Sequence, residues 1–206
     1  VLAMTASLPD ALVLPAGDAH LREQTTQSTP LVSGDFLHMV RDQVSLPNGL
    51  HARREYLLHP GAVMVVALLD DGRVLLERQY RHAVAHSLFE FPAGKLDLDE
   101  GVLPCAAREL REETGCLATH WAVATRIHPC IGYSNEVIHV VFAKGIVMGE
   151  QSLDEGELLD VCAATLPDLL VMAGDGRITD AKTLAGMLWL QHVVSGSWPL
   201  VWSELA

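Results

Sequence analysis

Residues 94–116 read GKLDLDEGVLPCAARELREETGC and decide how the rest of the chain is interpreted. Pro104 is typical of the first turn of a helix, and Gly115 is typical of the residue that follows a helix. Residues 94–99 have the composition of a loop. Between Pro104 and Gly115, apolar residues recur at the spacing of one helix face. That apolar stripe consists of Leu103, Ala106, Ala107 and Leu110. The stretch therefore predicts a loop followed by an amphipathic helix.

The opposite face of this helix carries three acidic residues, Glu109, Glu112 and Glu113. Their spacing places like charges next to each other, which costs a few tenths of a kcal/mol per pair. Glu112 and Glu113 also lie in the last turn, where the helix dipole disfavours anions. Because both charge repulsion and the helix dipole disfavour this arrangement, we interpret the face as a functional site for a hard divalent cation. The alternative is a solvated, charge-rich helix in which Arg108 and Arg111 compensate the acids.

The whole pattern resembles the Nudix box, G-x5-E-x7-R-E-U-x-E-E-x-G-U, in which U is a bulky apolar residue. Its fixed positions are filled by Gly94, Glu100, Arg108, Glu109, Leu110, Glu112, Glu113 and Gly115. The last apolar position holds Cys116, which is a mild departure because buried cysteine behaves as a small hydrophobe. The resemblance implies an enzyme of the Nudix hydrolase family, with a metal site built on this helix.

The resemblance also implies a role for each residue. Glu109 and Glu113 would ligate Mg²⁺, or Mn²⁺ in its place, and Glu112 would assist them as both metal ligand and catalytic residue. Arg108 would orient the carboxylates as a further catalytic residue, and Glu100 would tie the loop to the helix through it. The preceding segment, residues 90–94, also resembles the family and implies a metal ligand at the carbonyl of Ala93.

Four flanking segments resemble ADP-ribose pyrophosphatases. They are residues 53–55 (RRE), 79–81 (QYR), 129–136 (PCIGYSNE) and 176–181 (GRITDA). This resemblance implies substrate binding by Arg54, Glu55, Arg81 and Glu136, and a homodimer in which an N-terminal arm exchanges between subunits. Surface ion pairs are the alternative interpretation of Arg54 and Arg81, and a solvated strand-end acid is the alternative for Glu136.

The acidic segment 154–157 (DEGE) resembles the family's mobile loop, which brings a glutamate to the metals. The resemblance implies that Glu155 is the general base and that Glu157 is an added metal ligand. If this short loop is aligned with the family's loop two residues further along, Glu155 and Glu157 exchange these two roles. A solvated acidic turn is the alternative for either residue.

The rest of the chain predicts an α+β protein with a Nudix fold, a mixed-sheet α/β/α sandwich preceded by a β-hairpin arm. Residues 1–33 are expected to be poorly ordered, residues 34–58 to form the arm around Asn48-Gly49, and residues 59–206 to form the catalytic domain. Strands are expected at 63–69 and 74–76, as a pair across an Asp-Gly turn, and at 122–127 and 138–143. Two further helices are expected at 167–173 and 180–194, the latter capped by Thr179 or Asp180.

The amino-acid composition of the chain limits the kinds of partner that the protein can bind. The net charge is −12, and the 14 Lys and Arg residues form no basic cluster, which argues against nucleic-acid binding. No apolar run is long enough to span a membrane, and no signal peptide is apparent. Four scattered cysteines favour free thiols in a reducing compartment, so we expect a cytoplasmic protein.

These observations favour metal-dependent hydrolysis of the pyrophosphate bond of ADP-ribose or a related nucleotide sugar, giving AMP and a sugar phosphate. Three other functions stay open at this point: a pyrophosphatase for another nucleoside diphosphate-linked substrate, a non-catalytic domain that binds ADP-ribose as a regulatory ligand, and an enzyme for oxidised nucleoside triphosphates. The retained box glutamates argue against the second, and the long N-terminal region and acidic loop argue against the third.

Overall fold

The computed structural model describes residues 17–205, and the chain divides into two compact units between Tyr56 and Leu57. The N-terminal unit is a three-stranded sheet in the order β1-β2-β3. Its strands are β1 (Gln24–Ser33), β2 (His38–Ser45) and β3 (His51–Leu58). The predicted hairpin is confirmed: Leu46 N–H donates to the Leu50 carbonyl over 2.8 Å, and Gly49 adopts the positive φ that the turn requires.

The prediction of poor order before residue 34 is wrong for Gln24–Ser33, which form β1 antiparallel to β2. The Ser, Thr and Pro content suggested irregular structure, but Pro30 lies at a register shift, where a strand tolerates a residue without an N–H. The part of that prediction covering residues 1–16 lies outside the described residues. All ten residues of β1 are exposed in this single chain.

Residues 57–205 of the C-terminal unit form two sheets and three α-helices. Its strands are β4 (Ala62–Ala67), β5 (Arg73–Arg81), β6 (His86–Glu90), β7 (Ala93–Lys95), β8 (Cys116–Ile127), β9 (Ile138–Met148), β10 (Leu159–Thr165) and β11 (Ser203–Glu204). Its helices are α1 (Val102–Thr114), α2 (Leu166–Gly174) and α3 (Ala181–Val194). One sheet has the order β11-β8-β9-β4-β7 and is mixed, because β4 and β9 are parallel; the other has the order β10-β5-β6.

Strand β4 lies at the centre of the core, and all six of its residues are buried. Met64 and Val66 share an apolar cluster with Met187 of α3. The alternate residues Val63 and Val65 share a second cluster with residues of α1. Since successive side chains of a strand point to opposite faces, one strand is covered by a helix on each side. The predicted α/β/α sandwich is therefore confirmed.

The strands β4 and β5 do not form the expected hairpin. In the described part of the chain, the two segments are joined by an isolated bridge between Leu68 and Val74 and by the adjacent hydrogen bond from the Leu69 N–H to the Arg73 carbonyl. Both edges of β4 are already occupied, by β9 and β7, so β5 pairs with β6 and β10 in the other sheet. The turn at residues 70–72 thus transfers the chain between sheets, and β5 continues past the apolar run at Val74–Leu76.

The helices agree with the sequence predictions. Helix α1 ends at Thr114, and Gly115 follows it with φ 72°, the left-handed conformation that glycine adopts readily. Helix α3 is capped by Asp180, whose side chain accepts a hydrogen bond from the Thr183 N–H over 2.9 Å. Across residues 17–205, none of the helices combines the length and apolar character needed to cross a membrane.

Candidate active site

Arg108 is the centre of an ion-pair network on α1. Its Nε and Nη2 atoms donate to the two carboxylate oxygens of Glu100 over 2.9 and 2.8 Å. Its Nη1 atom donates to Glu109 over 2.8 Å and to Glu112 over 3.2 Å. The hydrogen bonds from Arg108 lower the pKa of Glu100 to about 2. Glu100 and Arg108 therefore form the predicted link between the loop and the helix.

Gly94 leaves the space that the Glu109 carboxylate occupies. A Cβ atom at position 94 would overlap both carboxylate oxygens of Glu109. The carboxylate is mostly shielded from water, with 13% of the side chain exposed. Burial raises the pKa of Glu109, against the opposing effect of the neighbouring Arg108. The first glycine of the box is therefore required for close packing of a carboxylate against the loop.

Glu113 is buried, with 4% of its surface exposed, so the alternative interpretation of a solvated helix face does not hold for this side chain. Its Oε2 atom accepts a hydrogen bond from the Ala93 N–H over 2.9 Å, which brings the segment before the box against the helix. Burial, and then the negative charges of Glu77, Glu109 and Glu157, raise its pKa. Glu113 thus lies against the backbone of Ala93 and the side chain of Glu77 rather than in solvent.

Glu77, in the middle of β5, is a site residue that the sequence analysis missed. It is 3% exposed and lies within hydrogen-bonding reach of Glu113. Burial raises its pKa to about 8, with further contributions from Glu157 and Glu90. The sequence does contain a signal for this residue: an acid directly follows the buried apolar run Val74–Leu76, and acids are rarely found at such positions.

This buried pair predicts how the stability of the metal-free protein depends on pH. The folded-state pKa values of Glu77 and Glu113 lie above the unfolded value near 4.5. Above pH 4.5 the folded state therefore binds protons that the unfolded state releases, and its stability falls as pH rises. The slope is about 1.4 kcal/mol per pH unit for each such proton. We expect chemical unfolding in chelator to show this loss between pH 5 and 8, and Glu77→Gln to reduce it. An identical slope in the variant would contradict the prediction.

The acidic loop contributes one carboxylate to this cluster, and that residue is Glu157. Its Oε1 atom accepts a hydrogen bond from Gln79 Nε2 over 3.0 Å, and its charge raises the pKa values of Glu77, Glu109 and Glu113. Glu155 lies exposed in the preceding turn. The structure therefore brings Glu157 to the helix glutamates and does not bring the predicted base, Glu155, to them.

A cavity of about 230 Å³ opens beside β7. Its lining includes Ala93, Arg81, Glu136 and Lys182. Arg81 donates from Nε and Nη2 to the buried Glu90 over 2.7 and 2.8 Å, and Lys182 pairs with the same carboxylate. Burial opposes ionisation of Glu90, but Arg81 and Lys182 outweigh it and lower its pKa. Two cations, Arg81 and Lys182, thus line this cavity beside the acidic cluster; Lys182 and Glu90 were not predicted.

The remaining two predicted substrate residues lie in the N-terminal unit, on β3. Arg54 pairs there with Glu23, and Glu55 pairs with Arg41. Both are exposed. Their contacts within this unit are the surface ion pairs that the sequence analysis offered as the alternative interpretation.

The family model for the NUDIX domain matches residues 58–187. The chain belongs to the Nudix family. It is 37% identical to a methanol dehydrogenase activator from Bacillus methanolicus, over 82% of this chain and 92% of that protein. It is 35% identical to an ADP-ribose pyrophosphatase from Bacillus subtilis strain 168, over 83% and 94% of the two chains. A crystal structure of an ADP compounds hydrolase superposes with a TM-score of 0.77 at 20% identity, covering 85% of this chain and 96% of the other, which supports the fold.

The Nudix membership predicted from the box is thus confirmed, and Nudix hydrolases need a divalent metal. In this structure no three His, Cys, Asp or Glu side chains within residues 17–205 are set at metal-binding geometry. Arg108 holds Glu109 and Glu112, while Glu113 faces Glu77. Ligation therefore requires these side chains to leave their present partners.

The chemistry of the residues nevertheless fits a hard cation. Glu77, Glu109, Glu113 and Glu157 lie close enough for their charges to interact, and oxygen ligands of this kind are preferred by Mg²⁺ and Mn²⁺. The Oε1 atom of Glu77 is buried and has no hydrogen-bond partner. A cation among these carboxylates would remove their mutual repulsion and supply that missing partner.

Proposed function

We propose that this Nudix hydrolase cleaves the pyrophosphate bond of ADP-ribose, giving AMP and ribose 5-phosphate. The observation that carries the proposal is a cluster of carboxylates, Glu77, Glu109, Glu113 and Glu157, beside a cavity that Arg81 and Lys182 line. Such a site suits an anionic diphosphate bound through a divalent cation. The sequence similarity to the Bacillus subtilis ADP-ribose pyrophosphatase supports this choice of substrate.

We propose Mg²⁺ as the metal, held by Glu109, Glu113 and the carbonyl of Ala93, with Glu112 assisting. The cation would neutralise charge on the phosphoryl oxygens and make water a better nucleophile. Arg108 keeps Glu109 and Glu112 on one side of α1, and its bonds to Glu100 hold the preceding loop in place. A loop carboxylate then accepts the proton of the attacking water. The structure favours Glu157 for this role over the Glu155 of the sequence analysis.

Arg81 and Glu136 are proposed to bind the substrate. Both line the cavity next to Ala93, and Arg81 is held by the buried Glu90. A guanidinium fixed in this way can donate to phosphate or ribose oxygens without first being ordered. Glu136 offers a carboxylate acceptor for a hydroxyl group of the substrate.

The proposed function is tested by a substrate panel assayed with Mg²⁺: ADP-ribose, other nucleotide sugars, a dinucleoside polyphosphate and nucleoside triphosphates. We expect the highest kcat/KM for ADP-ribose. A higher kcat/KM for another nucleotide sugar would support the same hydrolysis reaction but with that compound as the substrate. Binding of ADP-ribose without turnover of any compound would favour a regulatory domain instead.

We further propose a homodimer in the cytoplasm, in which the N-terminal unit exchanges between subunits and Arg54 and Glu55 serve the partner's substrate. The fully exposed β1 supports this, because an uncovered strand is a natural surface for pairing. Arg54→Ala should then raise KM with little change in kcat, since it removes binding rather than chemistry. A clean monomer at micromolar concentration in light scattering would exclude the exchange.

A further inference from the structure

Glu77 has an environment that packing alone does not explain. It continues the buried run Val74–Leu76 on β5 and is itself 3% exposed. Its Oε1 atom is one of two buried side-chain oxygens in residues 17–205 that lack a hydrogen-bond partner; the other belongs to Asp42 in the N-terminal unit. Leaving a buried polar atom unpaired costs about 1–3 kcal/mol, and more when the group is charged.

The neighbours of Glu77 are acidic on several sides. Glu90 lies directly opposite on β6, an arrangement of like charges that destabilises a sheet. Glu113 of α1 is within hydrogen-bonding reach, and the charge of Glu157 acts on Glu77 from the acidic loop. These acids come from three separate elements, so their convergence is a property of the fold and not of one sequence motif.

The basic side chains near Glu77 form ion pairs with other acidic residues. Arg81 and Lys182 pair with Glu90, and Arg108 pairs with Glu100, Glu109 and Glu112. The positive charge of Arg81 also acts on Glu77, but the salt bridges that Arg81, Arg108 and Lys182 form are with acids other than Glu77 and Glu113. A buried ionised carboxylate without such a partner costs several kcal/mol. An apolar residue or a glutamine at position 77 would therefore suit the metal-free fold better than the glutamate that is present.

We infer that Glu77 is a further carboxylate of the metal centre, contributed by β5 from outside the Nudix box, and that it binds the cation together with Glu113. The inference rests on the metal dependence in the proposed function. It explains both the unpartnered oxygen and the concentration of acids, since a hard cation takes several oxygen ligands and reverses the sign of their interactions. It also enlarges the metal site from one helix and one loop to a site that includes the second sheet.

A purely structural role makes a different prediction. If Glu77 only hydrogen-bonds Glu113 and holds α1 against β5, then glutamine can replace it, because its amide oxygen accepts the same hydrogen bond without a charge. Metal affinity would then be unchanged. The two interpretations are separated by metal binding and not by activity alone.

The test is a titration of the nucleotide-free protein with Mn²⁺, in which free Mn²⁺ is followed by electron paramagnetic resonance. We expect Glu77→Gln to weaken Mn²⁺ binding by at least about tenfold, since even outer-shell partners of a metal ligand contribute 10- to 100-fold. The variant should also melt at a higher temperature than wild type in chelator. The matched control is Asp71→Asn, which removes one negative charge at the exposed turn before β5. It should leave Mn²⁺ affinity within about twofold of wild type, well below the effect of losing even an outer-shell partner.

Wild-type Mn²⁺ affinity in Glu77→Gln would overturn the inference. Should that variant fail to fold, Glu77→Asp decides, because it keeps the charge and withdraws the carboxylate by one methylene. We expect weaker Mn²⁺ binding there too, and unchanged affinity would again overturn the inference. Since ADP-ribose is absent from the titration, a failure of the proposed substrate and a failure of this inference can be told apart.

Discussion

Glu113→Gln is expected to lower the turnover of ADP-ribose by about 10³-fold or more. Glu113 lies buried in the last turn of α1, where it receives a hydrogen bond from the Ala93 N–H and faces Glu77. A bound cation contributes several kcal/mol to stabilisation of the transition state, and each 1.36 kcal/mol changes the rate tenfold. Initial rates at saturating Mg²⁺ and ADP-ribose measure the effect.

The variant should fold, because the amide oxygen of glutamine can still accept from Ala93 and the repulsion with Glu77 is removed. Its melting temperature in chelator is therefore expected to equal or exceed that of wild type. Asp160→Asn serves as the control, since it changes the same charge on an exposed side chain that pairs with Arg78. Near-normal turnover in a folded Glu113→Gln protein would show that the helix glutamates do not form the metal site.

The second large effect concerns the acidic loop. Glu157→Gln is expected to lower kcat by about 10²- to 10⁴-fold, the usual cost of removing a general base, with less change in KM. Glu157 already lies beside Glu77, Glu109 and Glu113, held by Gln79. Glu155→Gln is expected to retain more than about a tenth of wild-type kcat, which is above the range for loss of a base.

Assaying the two loop variants side by side with saturating ADP-ribose and Mg²⁺ distinguishes the possible outcomes. A large loss in Glu155→Gln alone would mean that the loop rearranges on binding substrate and restores the assignment made from the sequence. If both variants kept more than about a tenth of wild-type kcat, neither loop residue would be the base. Glu112 and Glu136 would then be the next candidates.

The sequence predicted those features that depend on local chemistry at fixed spacing. The limits of α1, the Gly115 cap and the contact between Arg108 and Glu100 all follow from short-range patterns. The burial of β4 on both faces was equally visible as a continuous apolar run.

Features that depend on long-range pairing were missed or misjudged. The burial of Glu113 was not predicted, because helix periodicity places it opposite the apolar stripe, whereas the pairing of β7 with β4 brings the backbone of Ala93 onto that face. Glu77 was overlooked because β5 was expected to pair with β4, whereas it belongs to the other sheet. The choice between Glu155 and Glu157 depended on how the acidic segment is aligned with the family's loop, and four residues are too few to fix that alignment. Gln79, on β5, shows which of the two lies inward.

The most direct test of the central claim is product analysis after incubation of the wild-type protein with ADP-ribose, with Mg²⁺ present and with it removed by chelator. We expect AMP and ribose 5-phosphate in equal amounts when Mg²⁺ is present, and neither product when it is absent. Unchanged ADP-ribose in the presence of Mg²⁺, or equal product formation in chelator, would contradict a metal-dependent pyrophosphatase built on these glutamates.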